Sequence, residues 1–148
     1  MTYIKLQNML KLFLMGDNPA PKDPDVLIIA LETAYLEIAN DCTALKLLTA
    51  NKGEEIVRSG VGNSFVRMPK LPEEDEDVLD IDKELVPAVG RLMAGYIAKE
   101  IANKNYHKAE AKKIVIQYES KVREYMQKQV TAGKYTVVEL GDTGEINV

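Results

Sequence analysis

The sequence predicts a mainly α-helical protein: a bundle built on long antiparallel helices, with a small β-hairpin at about 54–68 and a β-prone C-terminal tail. Three observations carry this. Apolar residues recur at gaps of three and four over four stretches, a short one at 4–15 and three longer ones. Glycine-rich turns separate two short β-prone runs near the middle. Beyond Gly133 the helical spacing gives way to Tyr135-Thr136-Val137-Val138-Glu139-Leu140, which suits a strand.

In the first helix, over residues 4–15, Leu6, Met9, Leu10, Phe13 and Leu14 fall on one face, and Gly16-Asp17-Asn18-Pro19 ends it. Pro19, Pro21 and Pro24 mark a connector. A second helix is predicted from Asp25 to Ala50, capped by Asp23 or Asp25 with Pro24 in its first turn. Its buried stripe is Ile28, Leu31, Tyr35, Ile38, Cys42 and Leu45, widened by Leu27, Ala30 and Ala34, while Glu32, Glu37 and Asp41 should face water. Asn51-Lys52-Gly53 is a helix stop. Ile56-Val57-Arg58 and Ser64-Phe65-Val66-Arg67 flank Gly60-Val61-Gly62-Asn63, the pattern of a hairpin. Two strands alone are marginal, so the hairpin should lean on helices or on another chain.

Residues 69–82 form the longest polar break, predicted as an extended loop with Asp82 capping the next helix. That third helix is placed at 83–102. Leu85, Val89, Leu92 and Tyr96 make an apolar row. Gly90, Ala94, Ala98 and Ala102 make a row of small residues where another helix should approach closely. Asn103-Lys104-Asn105 is read as the turn of an antiparallel helical hairpin. The fourth helix then spans 106–131, with the stripe Ala111, Val115, Tyr118, Val122 and Tyr125. The domain reading is one helical body over residues 1–134, with inserted hairpin and acidic loop, followed by an extended arm over 135–148.

Composition narrows the function classes. At 148 residues the chain is long enough for one domain with a real core. A single cysteine, Cys42, excludes an internal disulfide scaffold and fits a reducing site of synthesis. No run approaches the roughly 18 apolar residues of a membrane span. Met1-Thr2-Tyr3-Ile4-Lys5 lacks the features of a signal peptide, so a soluble protein is expected. The net charge of −4 is uneven: residues 1–82 hold 15 acidic and 8 basic side chains, and residues 83–148 hold 8 and 11. Such asymmetry points to a partner surface or to copies that meet through opposite patches.

No catalytic constellation emerges. The one histidine, His107, has no second His or Cys near it in sequence and is expected in the polar first turn of the fourth helix. Cys42 sits on an apolar stripe, where it acts as a small hydrophobe. The run Glu73, Glu74, Asp75, Glu76, Asp77 lacks the EF-hand spacing and is read as a solvated loop or an acidic docking surface. Phosphate-loop, dinucleotide and zinc-protease motifs are absent. The expectation is a non-enzyme with no cofactor and no metal.

The order of parts then carries a resemblance. Val78-Leu79-Asp80-Ile81-Asp82-Lys83-Glu84-Leu85-Val86-Pro87-Ala88-Val89 leads into Leu92-Met93-Ala94-Gly95-Tyr96-Ile97-Ala98. Ala109-Glu110-Ala111 then leads to Ile116-Gln117-Tyr118-Glu119-Ser120-Lys121-Val122. This acidic loop, alanine-rich helix and Tyr-bearing helix resemble the head-to-tail connector (adaptor or head-completion) proteins of tailed bacteriophages. The likeness covers about two thirds of the chain and leaves the N-terminal helix and proline connector unmatched. It implies a structural virion protein of the neck: a homo-oligomeric ring, usually of twelve copies, seated between the portal protein and a tail or nozzle protein. Double-stranded DNA would pass through the bore. On that reading Tyr135, Thr136, Val137, Val138, Glu139, Leu140, Ile146 and Val148 form a portal- or partner-binding arm. Residues 73–77 line the channel or face a partner. The alternative is a small helical regulatory or nucleic-acid-binding module using the basic helix 104–128, where Lys104, Lys108 and Lys112 lie four apart.

Overall fold

The computed structural model describes residues 1–42, 47–48, 56–59 and 65–131. The chain is mainly helical with a small antiparallel β element, as the periodicities predict. The elements are α1 (Tyr3–Phe13), α2 (Pro24–Asp41), β1 (Leu47–Leu48), β2 (Ile56–Ser59), β3 (Phe65–Arg67), a 3-10 turn (Lys83–Leu85), α3 (Val86–Ile97) and α4 (Ile101–Thr131). They divide into two compact units, one of Met1–Ile38 with Pro69–Val115, the other of Ala39–Met68 with Ile116–Val148. The predicted arm at 135–148 lies outside the described residues.

In the first unit, α1 and α3 pack against each other. Leu6, Leu10 and Leu14 of the first segment are buried, as are Val86, Val89, Leu92, Met93 and Ala94 of α3. Gly90 explains the close approach. A Cβ there would come within 3.1 Å of Phe13 Cε2 and 3.2 Å of Met9 Sδ. Of the predicted α2 stripe, Leu31, Tyr35 and Ile38 are buried together with the flanking Leu27, Ala30 and Ala34, Ile28 is half-buried, Cys42 is buried just past the helix end, and Leu45 lies outside the described residues. Asp23 caps α2, its Oδ1 accepting from Asp25 N–H at 2.9 Å. Asp82 accepts from Glu84 N–H at 3.0 Å and starts the 3-10 turn that runs into α3. Gly16 takes φ of +85° just past the end of α1, a conformation that strains other residues.

The second unit holds the sheet, with strand order β1-β3-β2 and both pairs antiparallel. Ile56 faces Arg67 while Arg58 faces Val66, so β2 carries one extra residue against β3, a bulge.

Several boundaries differ from the sequence reading. α2 ends at Asp41, nine residues short of Ala50, and Leu47–Leu48 instead pair with Val66 and Phe65. Asn40-Asp41 are poor helix formers, and Leu47–Leu48 gives the hairpin a third strand. The break before α4 falls at Ala98–Glu100, one turn earlier than Asn103-Lys104-Asn105, which are helical. The small-residue row is therefore split. Gly90 and Ala94 are buried on α3, Ala98 is the buried cap residue beyond it, and Ala102 is exposed on α4. Glu37 faces α3, accepting from the Tyr96 hydroxyl. Tyr125 is exposed, whereas Tyr118 on the same stripe is buried.

Replacing Gly90 with Val should cost about 1–3 kcal/mol, because the added Cβ and its two methyl groups must displace Phe13 and Met9 in a packed contact. Urea denaturation of Gly90→Val against the parent checks this. An unchanged midpoint would show that α1 does not bear on α3 at this point.

Candidate interaction surfaces

Three features of the first unit present chemistry beyond simple burial. The first is the acidic run. It is a compact turn, where an extended loop was expected. Asp77 closes it, one carboxylate oxygen accepting from Glu73 N–H at 2.8 Å and Glu74 N–H at 2.9 Å. These bonds hold the Asp77 carboxyl below its usual range. The turn docks on the start of α1. Tyr3 N–H donates to the Asp77 carbonyl and Ile4 N–H to the Asp75 carbonyl, both at 2.9 Å. Thr2 and Val78 form a single antiparallel bridge, and Gln7 Nε2 donates to Asp75 Oδ1 at 2.9 Å. Asp75 and Asp77 are thus committed to the fold. Glu73, Glu74 and Glu76 are exposed.

The second feature is a polar knot where α1 ends and α4 begins. Asp17 Oδ1 accepts from the backbone N–H groups of Lys99 and Glu100 at 3.1 and 3.3 Å, and Oδ2 accepts from Asn103 Nδ2 at 3.0 Å. Burial acts to raise the Asp17 pKa, but the Asn103, Lys99 and Glu100 donors outweigh it and hold the carboxyl low. Asn18 Nδ2 donates to the Ile97 carbonyl at 2.9 Å. Lys104 Nζ reaches the Tyr96 carbonyl at 3.0 Å. A depression of about 440 Å³ over the end of α1 is lined by Lys11, Leu14 and Met15 through Ala20.

His107 lies beside this knot. Sequence placed it in a polar first turn; the structure buries it in the second turn of α4, 5% exposed. Arg91 Nη1 donates to His107 Nδ1 at 3.0 Å, which assigns the ring proton of the neutral imidazole to Nε2. The Arg91 guanidinium sits 4.0 Å from the Phe13 ring centroid and 5.4 Å from that of Tyr106. Burial lowers the His107 pKa, Arg91 lowers it further, and Asp17 opposes both. Its spacing from Ala111 and Tyr118, four and eleven residues on, placed His107 on the buried stripe. That was the missed signal.

The third feature is apolar surface. Large side chains stand in water on several elements, among them Met15 at 77% exposure, Val78 at 72% and Ile101 at 73%. Among the described residues no three His, Cys, Asp or Glu side chains are grouped to hold a metal ion. Among those residues, too, no helix is long and apolar enough to cross a membrane. The arm residues Tyr135 to Leu140, Ile146 and Val148 lie outside the described residues. Comparisons with family models, curated proteins and solved structures find no match to this chain.

The His107 geometry sets a pH dependence. Its folded pKa is lowered below 6.5, so the unfolded chain binds the proton more readily. The associated stability is complete above about pH 6.5 and falls as pH drops towards the folded value, by at most about 1.4 kcal/mol per pH unit. In urea titrations at neutral and mildly acidic pH, His107→Gln should flatten this dependence, since Gln can still accept from Arg91 but does not titrate. Equal slopes in both proteins would refute the buried neutral imidazole.

Proposed function

We propose that this chain is a non-catalytic assembly protein that works by binding other protein subunits. The observation that supports it most is the combination in the first unit of a closed core with large apolar side chains left in water. The α1 and α3 contact is filled, Asp17 and Asn18 bind the Lys99 and Glu100 N–H groups and the Ile97 carbonyl at the α3–α4 break, and yet Met15, Val78 and Ile101 remain exposed. A contiguous row, Val26, Ile29 and Leu36 along one side of α2, is the kind of apolar surface that protein partners cover.

The specific assembly we propose is the head-to-tail connector of a tailed bacteriophage, on the pattern of residues 78–127. Copies form a homo-oligomeric ring in the virion neck, between the portal protein and the tail. The arm from Tyr135 to Val148 grips the portal or another partner. DNA passes through the bore without being held. The acidic turn serves that passage: Glu73, Glu74 and Glu76 repel phosphate, while Asp75 and Asp77 keep the turn on α1.

Sedimentation of the purified chain, alone and mixed with the portal ring of the same genome, tests the reading. A ring-sized species that co-sediments with the portal is expected; a lone monomer that ignores the portal would end it. The triple variant Glu73→Lys, Glu74→Lys, Glu76→Lys should assemble as the parent does but retain duplex DNA in a salt-sensitive way. Salt-sensitive retention of DNA by the parent protein would favour the alternative, a nucleic-acid-binding module based on helix 104–128.

A further inference from the structure

The faces through which copies of this chain meet are legible on α2 and the first half of α4. On α2, Val26, Ile29 and Leu36 are 43%, 64% and 45% exposed, and with Thr33 they follow one another at gaps of three, four and three. That spacing makes a continuous seam along one side of the helix, about 15 Å long. Its opposite side is the buried stripe of Leu27, Leu31, Ala34 and Ile38. Thr33 does not interrupt the seam, since its hydroxyl already donates to the Ile29 carbonyl at 2.8 Å. Asp25 and Glu32 flank it, both exposed. α2 contains four acidic residues and no Lys or Arg.

The start of α4 is the counterpart. Ile101, Asn105, Lys108 and Lys112 follow at gaps of four, three and four, all exposed, over a similar length of about 16 Å. Ala102 and Ala109 beside them are exposed and small, which lets another helix come close. Residues 101–115 carry four lysines against one glutamate. Lys104 is taken up by the Gly95 and Tyr96 carbonyls and Lys113 pairs with Glu110. Lys108 and Lys112 form no ion pair among the described residues; the Lys108 stem runs against Gly95 and its ammonium stands 6.0 Å from the Tyr96 ring centroid. The Lys112 stem can lie along an apolar seam, and both ammonium groups can reach its acidic flank.

We infer that a second copy of this chain covers the α2 seam with its own α4 face: Val26, Ile29 and Leu36 of one protomer dock on Ile101 and the Lys112 stem of the next, with the Lys108 ammonium at their edge. Asp25 and Glu32 then face those ammonium groups. Opposite charge on seams of equal length selects this pairing. Two α2 faces together would set acid against acid, and two α4 faces lysine against lysine. Because the two faces differ, the contact is heterologous and propagates from copy to copy, closing into a ring or running on. The inference rests on the assembly reading above and assigns its self-contact.

Two variants, each with one face disabled, provide the test: Ile29→Asp with Leu36→Asp, and Lys108→Glu with Lys112→Glu, so that the two disabled faces are both acidic and cannot pair with each other in a mixture. All four positions are exposed, so both should fold, which circular dichroism and urea titration verify. Sedimentation at low salt should show the parent as a large oligomer and each variant alone as a monomer. An equimolar mixture should form a 1:1 dimer and nothing larger, because each variant has one working face left. High salt should weaken the parent assembly at least about tenfold in Kd. A parent that oligomerises while both variants keep its size would overturn this surface and leave the assembly reading standing. So would monomeric variants that stay monomeric when mixed. A parent that is monomeric at millimolar concentration but still binds the portal overturns the self-contact alone, and one that does neither overturns both.

Discussion

The fold depends on how the orphan backbone groups at the break between α3 and α4 are satisfied. The first N–H groups of a helix have no partner within it. At this break Lys99 and Glu100, the two residues just ahead of α4, turn their backbone N–H groups away from the helix, and Ala98 before them has no polar side chain. The acceptor comes from 82 residues away, as Asp17 on the turn that ends α1. Asn18 answers the other side of the break by donating to the Ile97 carbonyl. One dipeptide thus fixes where α3 stops, where α4 starts and where the end of α1 must sit. With that end pinned, the Leu6, Met9 and Phe13 side chains of α1 fall over Gly90, and Phe13 meets the Arg91 guanidinium.

The other end of α1 is held by the same logic. Thr2 makes no side-chain cap, so Tyr3 and Ile4 give their N–H groups to carbonyls of the acidic turn. Asp75 and Asp77 also place negative charge near the positive end of the α1 dipole. An acidic run that looks like a solvated loop in isolation is therefore half structural. Its two inner carboxylates organise the turn and the helix start, and its outer three glutamates are left for solvent or a partner. The charge is the same throughout the run; what separates the roles is which carboxylates have N–H or amide donors within reach.

Much of this was legible in the sequence, and the failures share a cause. The stripes of α1 and α2, the Asp23 and Asp82 caps, the Gly16 stop and the hairpin all follow from local spacing and capping chemistry. Gly90 was correctly marked as a close approach, although its partner is α1. The α3–α4 break was misplaced because Ala98-Lys99-Glu100 are good helix formers, while Asn103-Lys104-Asn105 carry the weaker propensities. The long-range acceptor at Asp17 overrides both, and no local window contains it. Ala98 and Ala102 fell out of the small-residue row for that reason. The burial of His107 follows from its place on the Ala111 and Tyr118 stripe, which outweighs the polarity of a lone histidine.

The pinned helices bear on how the chain would associate. Ordering a long side chain or a loop at an interface costs free energy that a fixed surface has already spent in folding. Both faces inferred to meet between copies lie within the first unit, whose helix ends are tied by Asp17, Asn18, Asp23 and the acidic turn. The α2 seam is the outer side of a helix whose inner side is core, and the Ile101–Lys112 face begins directly at the Asp17 cap. A copy docking there meets backbone that is set in advance, so modest apolar area and a few ion pairs can suffice. Weak, pre-organised, heterologous contacts of this kind gain their strength by repetition around a closed assembly, where each protomer is held through two faces at once.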